Sequence, residues 1–417
     1  MSTDKPFQID KKRVYEAYKA VRSNHGAAGV DGQTLEAFEK DLKGNLYNIW
    51  NRMASGSYFP PPVRAVSIPK KSGDGERILG VPTVGDRIAQ MVVKQPIEPE
   101  LDAIFLPDSY GYRHGKSALD AVGVTRERCR RNDWVLEFDI KALFDNIEHG
   151  LLLKALDKHT DCKWVRLYIK RWLTAPLQLE DGTLVQRTRG TPQGGVISPL
   201  LANLFLHYTF DVWMTRTYPE APWCRYADDG LVHCNSVKEA QAIKAALEAR
   251  FAACGLTMHP AKTKIVYCKD ANRAGTHDHT KFTFLGYEFR QRYVKNSKIG
   301  SMFASFTAAV SPAALTAMRQ KARRLNYRNR TDLSLQDIAS KLNPILRGWI
   351  AYYGRFQPSA LHPLYWHIDK LLVAWARKKY KRFRASWRQA GLFIEEVSRK
   401  CPKLFAHWKL GMAGVSA

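Results

Sequence analysis

The chain has 417 residues, enough for two or three domains with substantial cores. Its 45% hydrophobic and 25% charged fractions are ordinary for a globular protein, but Lys+Arg 65 against Asp+Glu 39 leaves a net charge of +26. That excess calls for a polyanion alongside, and aromatic residues (Trp 11, Tyr 18, Phe 18) interleaved with the cations favour nucleic acid. Seven cysteines, an odd number with no CxxC pair, exclude a disulfide framework or zinc ribbon and favour a reducing compartment. The N-terminus MSTDKPFQID is charged where a signal peptide is apolar, and no apolar run approaches about 18 residues. A soluble cytoplasmic protein is expected, with no membrane partner.

The first 50 residues read as helices around a turn: Val14, Ala17, Tyr18 and Val21 keep helical spacing, Gly26–Gly32 breaks it, and Leu35, Phe38, Leu42 and Leu46 resume it. Pro60-Pro61-Pro62 opens an extended region, and an alternating strand from Val63 leads through a Gly/Ser turn to a second strand, Arg77–Val81. Lys70 and Arg77 flank that turn. Helical patterns from Asp86 to about Val124 precede the strand Trp134–Ile140; further helices follow His149 and the Pro192–Pro199 turn. Trp223–Cys234 reads as two short strands meeting at the acidic turn Asp228-Asp229, followed by the helix Lys238–Cys254, the strand Thr263–Cys268 and a hairpin at Phe284–Tyr287. Composition shifts near Ser311 to Lys/Arg- and Trp-rich helices without a strand signal, so boundaries are placed near residues 50 and 300.

Phosphoryl transfer to a primer 3′-hydroxyl needs two divalent cations about 4 Å apart, held by two or three rigidly mounted carboxylates. Asp139 ends an apolar strand and Asp228-Asp229 sits at a hairpin tip; side by side in one sheet they would converge. Each alone is commonly a cap or an ordinary turn. The ordered set of neighbours changes the balance.

Gly29-Val-Asp-Gly32, Ile68-Pro-Lys70 with Arg77-Ile-Leu-Gly-Val-Pro82, Ser109-Tyr-Gly-Tyr-Arg113, Phe138-Asp-Ile with Phe144-Asp145, Gly190-Thr-Pro-Gln-Gly-Gly195, Arg225-Tyr-Ala-Asp-Asp229, Lys262-Thr263 and Phe284-Leu-Gly-Tyr287 occur in this order. In this the chain resembles group II intron-encoded reverse transcriptase/maturases, from about Gly26 to its C-terminus. The resemblance implies an α+β right-hand polymerase fold, with fingers and palm built on antiparallel sheet, followed by an all-helical thumb/maturase domain. The corresponding division is residues 1–50 as an N-terminal helical extension, 51–300 as fingers and palm, 301–376 as thumb/maturase and 377–417 as a basic DNA-binding segment.

The resemblance also implies roles. Asp139 with the Ile140 backbone, Asp228 and Asp229 would hold two Mg²⁺ ions, with Mn²⁺ as a substitute. Lys70, Arg77, Arg113, Phe144 and Gln193 would contact the dNTP, Phe144 as a steric gate against a ribose 2′-hydroxyl and Arg113 on either triphosphate or template phosphates. Phe284, Leu285, Gly286 and Tyr287 would grip the primer. Lys262 is a candidate proton donor to pyrophosphate, with Lys264 close by, and Asp145 reads as a helix cap or structural partner rather than a further metal ligand. Arg323, Arg324 and Arg347, then Arg377, Lys378, Lys379, Lys381 and Arg382 in a basic stretch ending at Phe405-Ala-His-Trp408, would bind RNA and DNA. Trp349 is expected in the core. Gly230, where many relatives carry an aromatic, suggests a more flexible turn.

The function implied is an RNA-directed DNA polymerase that binds its group II intron RNA, assists splicing and moves it by target-primed reverse transcription, with target DNA, primer and dNTPs as further partners. It would associate with the bacterial nucleoid when bound to target. Where many relatives continue into an H-N-H nuclease with paired cysteines, this sequence has Cys401 alone before Ala417, so the endonuclease-lacking branch is expected, priming from a nascent strand at a replication fork. A splicing-only maturase would show degraded carboxylates or a lost Gln193 turn, and neither is seen. A domesticated reverse transcriptase in phage defence is the other alternative, and the maturase-like helices count against it.

Overall fold

The computed structural model describes residues 5–24, 26–69, 75–295 and 300–410. Contacts gather the chain into two compact units, Met1–Ala121 with Leu136–Lys264, and Val122–Val135 with Ile265–Ala417.

In the first unit the helix Lys11–Arg22 starts at Asp10, whose side chain accepts from Lys12 N, and buries Val14, Ala17, Tyr18 and Val21, the four positions picked out by spacing. The helix Val84–Ile104 is capped by Thr83. On it, buried Asp86 accepts from Tyr58 Oη (2.8 Å), Trp172 Nε1 (2.7 Å) and Gln90 Nε2 (2.9 Å). Those three donors compensate a carboxylate that burial pushes upward in pKa. The N-terminal helices thus belong to the same unit as the first hairpin, where a boundary near residue 50 had been expected.

That hairpin pairs Val63–Pro69 with Glu76–Val81 in register from Arg64↔Val81 to Pro69↔Glu76, and Leu177–Gln178 adds to its other edge in parallel. A second sheet sets Trp223–Tyr226, Asp229–Cys234 and Trp134–Asp139 side by side in that order. Behind it runs the apolar helix Ser198–Leu206, continued by a π-helical turn, His207–Asp211.

The second unit has a three-stranded antiparallel sheet, Lys281–Phe284, Tyr287–Lys295 and Met302–Val310. The boundary expected near residue 300 falls inside this sheet, because Met302–Val310 pairs along all of Tyr287–Lys295. The region expected to be all-helical therefore opens with a strand. Its helices are Pro312–Arg324, Leu335–Tyr353, His362–Lys379 and Trp387–Lys400, packed around Ile338, Leu346, Ile368, Leu372, Trp375 and Phe405. Trp349 is half-buried against that core. The stretch Phe405–Trp408, where the basic segment was expected to end, is packed into the core of this unit. His407 Nε2 and Trp408 Nε1 each lie 2.9 Å from Oδ1 of buried Asp369, and Ala406 N donates to Asn343 Oδ1 at 2.9 Å. Among the described residues no helix is long and apolar enough to cross a membrane.

Candidate active site

The acidic turn is built by a tight hairpin. Tyr226 pairs with Asp229, leaving Ala227-Asp228 as a two-residue turn, and Ala227 takes a left-handed φ of 56°. Next to it, Asp139 ends the neighbouring strand. Ile140 N donates to the Asp228 carbonyl at 3.3 Å, and His259 N donates to the Asp139 carbonyl at 2.7 Å. The backbones that carry Asp139 and Asp228 are therefore joined directly.

Beneath the turn lies Arg225, wholly buried with all five N–H donors engaged. Nε and Nη2 clasp Asp211 (2.7 and 2.6 Å), Nη2 also reaches Ser109 Oγ (2.8 Å), and Nη1 reaches Asn203 Oδ1 and the Ala227 carbonyl (both 3.1 Å). The π-helical turn places Asp211 for this bidentate contact. In the sequence Arg225 is only the first residue of the Arg225–Asp229 motif and nothing marks Asp211, because a buried ion pair has no local signature. Gly230 fits the same packing. A Cβ there would lie 2.1 Å from Phe138 Cζ, so the glycine lets the strand lie on the Phe138 ring, a packing reason for glycine at this position.

Negative charge gathers at the three carboxylates and is only partly offset by Lys262 and Arg77. Burial, and then the charge of Asp139, raises the pKa of Asp228, opposed by Lys262 and Arg77. Burial and the like charges of Asp228 and Asp139 push Asp229 up to about 7. Asp229 is nonetheless open to solvent by surface area, so the like-charge repulsion is the firmer of its causes. Lys262 Nζ donates to Asp139 Oδ2 at 2.8 Å, which raises the lysine's own pKa, whereas Lys264 Nζ pairs with Glu137 Oε2 at 3.1 Å. Lys262 is thus bonded to the carboxylate cluster, and Lys264 to Glu137. All-oxygen donors short of positive charge suit a hard divalent cation. Among the described residues, however, no group of three or more His, Cys, Asp or Glu side chains is spaced to hold a metal as it stands.

Around the carboxylates, Phe144 and Gln193 are brought together by main-chain bonds. Thr191 N donates to the Phe144 carbonyl and Gly190 N to the Ile147 carbonyl, each at 2.7 Å. Gly190 has φ 78° and passes so close that a Cβ would sit 2.7 Å from the Phe144 oxygen; only glycine fits. Gln193 Nε2 donates to Asp145 (3.2 Å), so Asp145 is the glutamine's partner. Gly80 N donates to the Gln193 carbonyl at 2.9 Å, docking the first hairpin on the same turn. Arg77, exposed on that hairpin, lies within electrostatic reach of Asp228. Lys70 lies outside the described residues.

Arg113 departs from expectation. Its guanidinium bonds Asp102 Oδ1 (2.7 Å), Oδ2 (3.4 Å) and carbonyl (3.0 Å), the Leu106 carbonyl (2.8 Å) and the Ser109 carbonyl (3.0 Å). With five donors so used and the side chain 7% exposed, no N–H remains for a phosphate. It is a structural arginine.

In the second unit, Leu285 (φ 52°) and Gly286 (φ 81°) form the two-residue turn between Phe284 and Tyr287. Tyr352 Oη donates to the Leu285 carbonyl at 2.8 Å, and Tyr287 Oη donates to the Tyr352 carbonyl, so this turn is fixed on the helix Leu335–Tyr353. Arg323, Arg324, Arg347, Lys378, Lys381 and Arg382 are exposed. Lys379 instead ties down the Thr331 and Leu333 carbonyls (3.0 and 2.8 Å), and Arg377 donates to the Arg384 carbonyl (2.7 Å) with its guanidinium over Trp387. These two are partly structural.

Residues 68–289 match the family model described as reverse transcriptase (RNA-dependent DNA polymerase), and residues 315–391 the group II intron, maturase-specific domain. The chain belongs to the group II intron reverse transcriptase/maturase family. It is 30% identical over 355 residues to Protein YkfC of Escherichia coli, covering 74% of this chain and 88% of that protein. It is 35% identical over 196 residues to the group II intron-encoded protein LtrA of Lactococcus lactis, 46% of this chain and 32% of LtrA. A telomerase of Candida albicans, solved with a fragment of telomeric RNA, is a looser likeness: TM-score 0.47 and 11% identity over 91% of this chain and 68% of that one. Family membership makes the reverse transcriptase an RNA-directed DNA polymerase of right-hand fold, dependent on divalent metal and on an RNA template.

Proposed function

We propose that this reverse transcriptase extends a primer 3′-hydroxyl with dNTPs by two-metal phosphoryl transfer, and that its maturase domain binds the intron RNA to assist splicing and retrohoming. The observation that carries the reading is the acidic cluster itself: burial and the charge of Asp139 raise Asp228, burial and the charges of Asp228 and Asp139 raise Asp229, and Lys262 is bonded to Asp139. Carboxylates so arranged are costly without a cation, which is a reason to expect one.

Asp139, the Ile140 carbonyl, Asp228 and Asp229 would hold two Mg²⁺ (or Mn²⁺), which supply activation of the attacking hydroxyl and neutralisation of the triphosphate. Arg77 from the first hairpin, with Lys70, would clamp the triphosphate. Phe144 would exclude a 2′-hydroxyl, and Gln193, steadied by Asp145, would line the nucleotide site. Lys262 is held protonated beside Asp139, as a donor to departing pyrophosphate must be. The Phe284–Tyr287 turn would grip the primer, and Arg323, Arg324, Arg347, Lys378, Lys381 and Arg382 would meet nucleic-acid phosphates, with Arg377 and Lys379 contributing through their remaining donors.

The test is Asp228→Ala/Asp229→Ala. Primer extension on an RNA template should disappear with Mg²⁺ and with Mn²⁺, while intron RNA binding and assisted splicing persist. Extension surviving in the double variant would remove the metal assignment; loss of RNA binding alongside it would indicate misfolding, which circular dichroism would reveal.

A further inference from the structure

Tyr112 has a conformation that an aromatic residue does not choose. Its φ is 57°, in the left-handed region where non-glycine residues are strained. The strain is imposed from both sides. Gly111 passes under the acidic turn so closely that a Cβ would lie 2.5 Å from Ala227 N, and its carbonyl accepts from Asn203 Nδ2 at 2.7 Å. On the other side Arg113 is immobilised by its five hydrogen bonds. The residue between them must turn left-handed.

Glycine would make that turn without steric cost, so a tyrosine here is to be explained by what its ring does. The ring is not core, being 52% exposed. It meets Phe144 edge-to-face, centroids 6.4 Å apart and planes at 78°. Burial and the neighbouring Asp228 raise its phenol pKa, and Arg77 opposes them. Phe144 itself stands on a four-residue helix, Leu143–Asn146, entered through left-handed Ala142 without a side-chain cap. A ring only partly buried, on so short a mount, can change rotamer unless something blocks it from the side.

We propose that Tyr112 is a sugar-specificity residue: its ring is the lateral wall that holds Phe144 in place, so that exclusion of ribonucleotides belongs to the Tyr112–Phe144 pair. The proposal rests on the reading of Phe144 as the gate. A ring acting by collision discriminates only while it stays put. Backing it from the edge adds discrimination without adding contact to a deoxyribose.

The experiment compares dATP with ATP as substrates of the full chain on a poly(rU) template with an oligo(dA) primer, measuring kcat and KM separately. Tyr112→Gly suits the backbone, so it should fold at least as well as the parent, yet lose sugar discrimination by about tenfold, chiefly through ATP. Tyr112→Phe, which keeps the ring, should stay within about twofold of the parent. Tyr112→Gly combined with Phe144→Ala should discriminate no worse than Phe144→Ala alone, since the wall has nothing left to support. Full discrimination in Tyr112→Gly, with loss in Phe144→Ala, would overturn the proposal and leave the gate standing. Unchanged discrimination in both would overturn the gate as well. Equal losses for dATP and ATP would also overturn it, making Tyr112 a general positioning residue.

Discussion

Arg225 and Asp211, both with fully buried side chains, meet at 2.6 Å under the turn that carries Asp228 and Asp229. The pair is bidentate, and the same guanidinium holds the Ala227 carbonyl. Cutting one partner from such a buried pair strands the other charge, at a cost of about 3–5 kcal/mol. Arg225→Ala should therefore lower stability by roughly that amount in denaturant unfolding. Arg225→Lys, which keeps the charge but not the fork, should still lose most polymerase activity through displacement of the acidic turn. A Lys variant with parental kcat would show that the turn holds itself.

Asp229, raised from 3.8 to about 7, makes the metal-free protein pH-sensitive. The folded state retains a proton there that the unfolded state releases near 3.8, so this group's contribution to stability is full below that value and is lost as pH rises to about 7. Divalent cations compete with that proton. Mn²⁺ binding followed by electron paramagnetic resonance should weaken as pH falls below about 7, by up to about tenfold per pH unit for one displaced proton. In Asp229→Asn that slope should flatten; an equal slope in both would place the titration elsewhere.

Gly190 is pressed against the Phe144 carbonyl at positive φ. Gly190→Ala should destabilise by about 1–3 kcal/mol and raise the KM for dNTP, because relief of the clash separates Phe144 from Gln193. Steady-state kinetics at a temperature where the variant remains folded distinguishes the two effects.

Arg113 should behave as a scaffold residue. Arg113→Ala is expected to cost about 2–4 kcal/mol of stability while leaving the dNTP KM of the folded fraction near the parental value. A large KM increase in a stable Arg113→Ala protein would restore it to the nucleotide site.

Among the basic residues of the second unit, exposure separates two kinds. Neutralising Lys378, Lys381 and Arg382 should reduce the salt dependence of RNA affinity by roughly 0.7–0.9 in log–log slope for each phosphate that is no longer neutralised. Lys379→Ala should chiefly lower the melting temperature, since its ammonium holds the Thr331 and Leu333 carbonyls. An unchanged slope in the triple variant would make that face merely solvated.

Much was legible in the order of residues alone. Strand alternation marked the first hairpin, helical spacing picked out Val14, Ala17, Tyr18 and Val21, and the turn residues placed Asp228-Asp229 at a tip. These are local signals, set by backbone period and turn chemistry within a few residues. The ordered motifs also sufficed to identify the family, because chemistry that needs particular carboxylates, glycines and a glutamine leaves them in sequence order.

Tertiary structure decided what each polar side chain does once folded, because hydrogen-bond partners distant in sequence have no period to betray them. Arg113 and Arg225 look alike as motif arginines, yet one closes on Asp102 and the other on Asp211. Lys262 and Lys264 stand two apart and reach different carboxylates, Asp139 and Glu137. Phe405–Trp408 reads as the end of a basic tail, but Asp369 and Asn343 draw it into the core. Composition and motif order determined that this protein is a reverse transcriptase. Only folding, by using some cations on buried partners, decided which were left exposed.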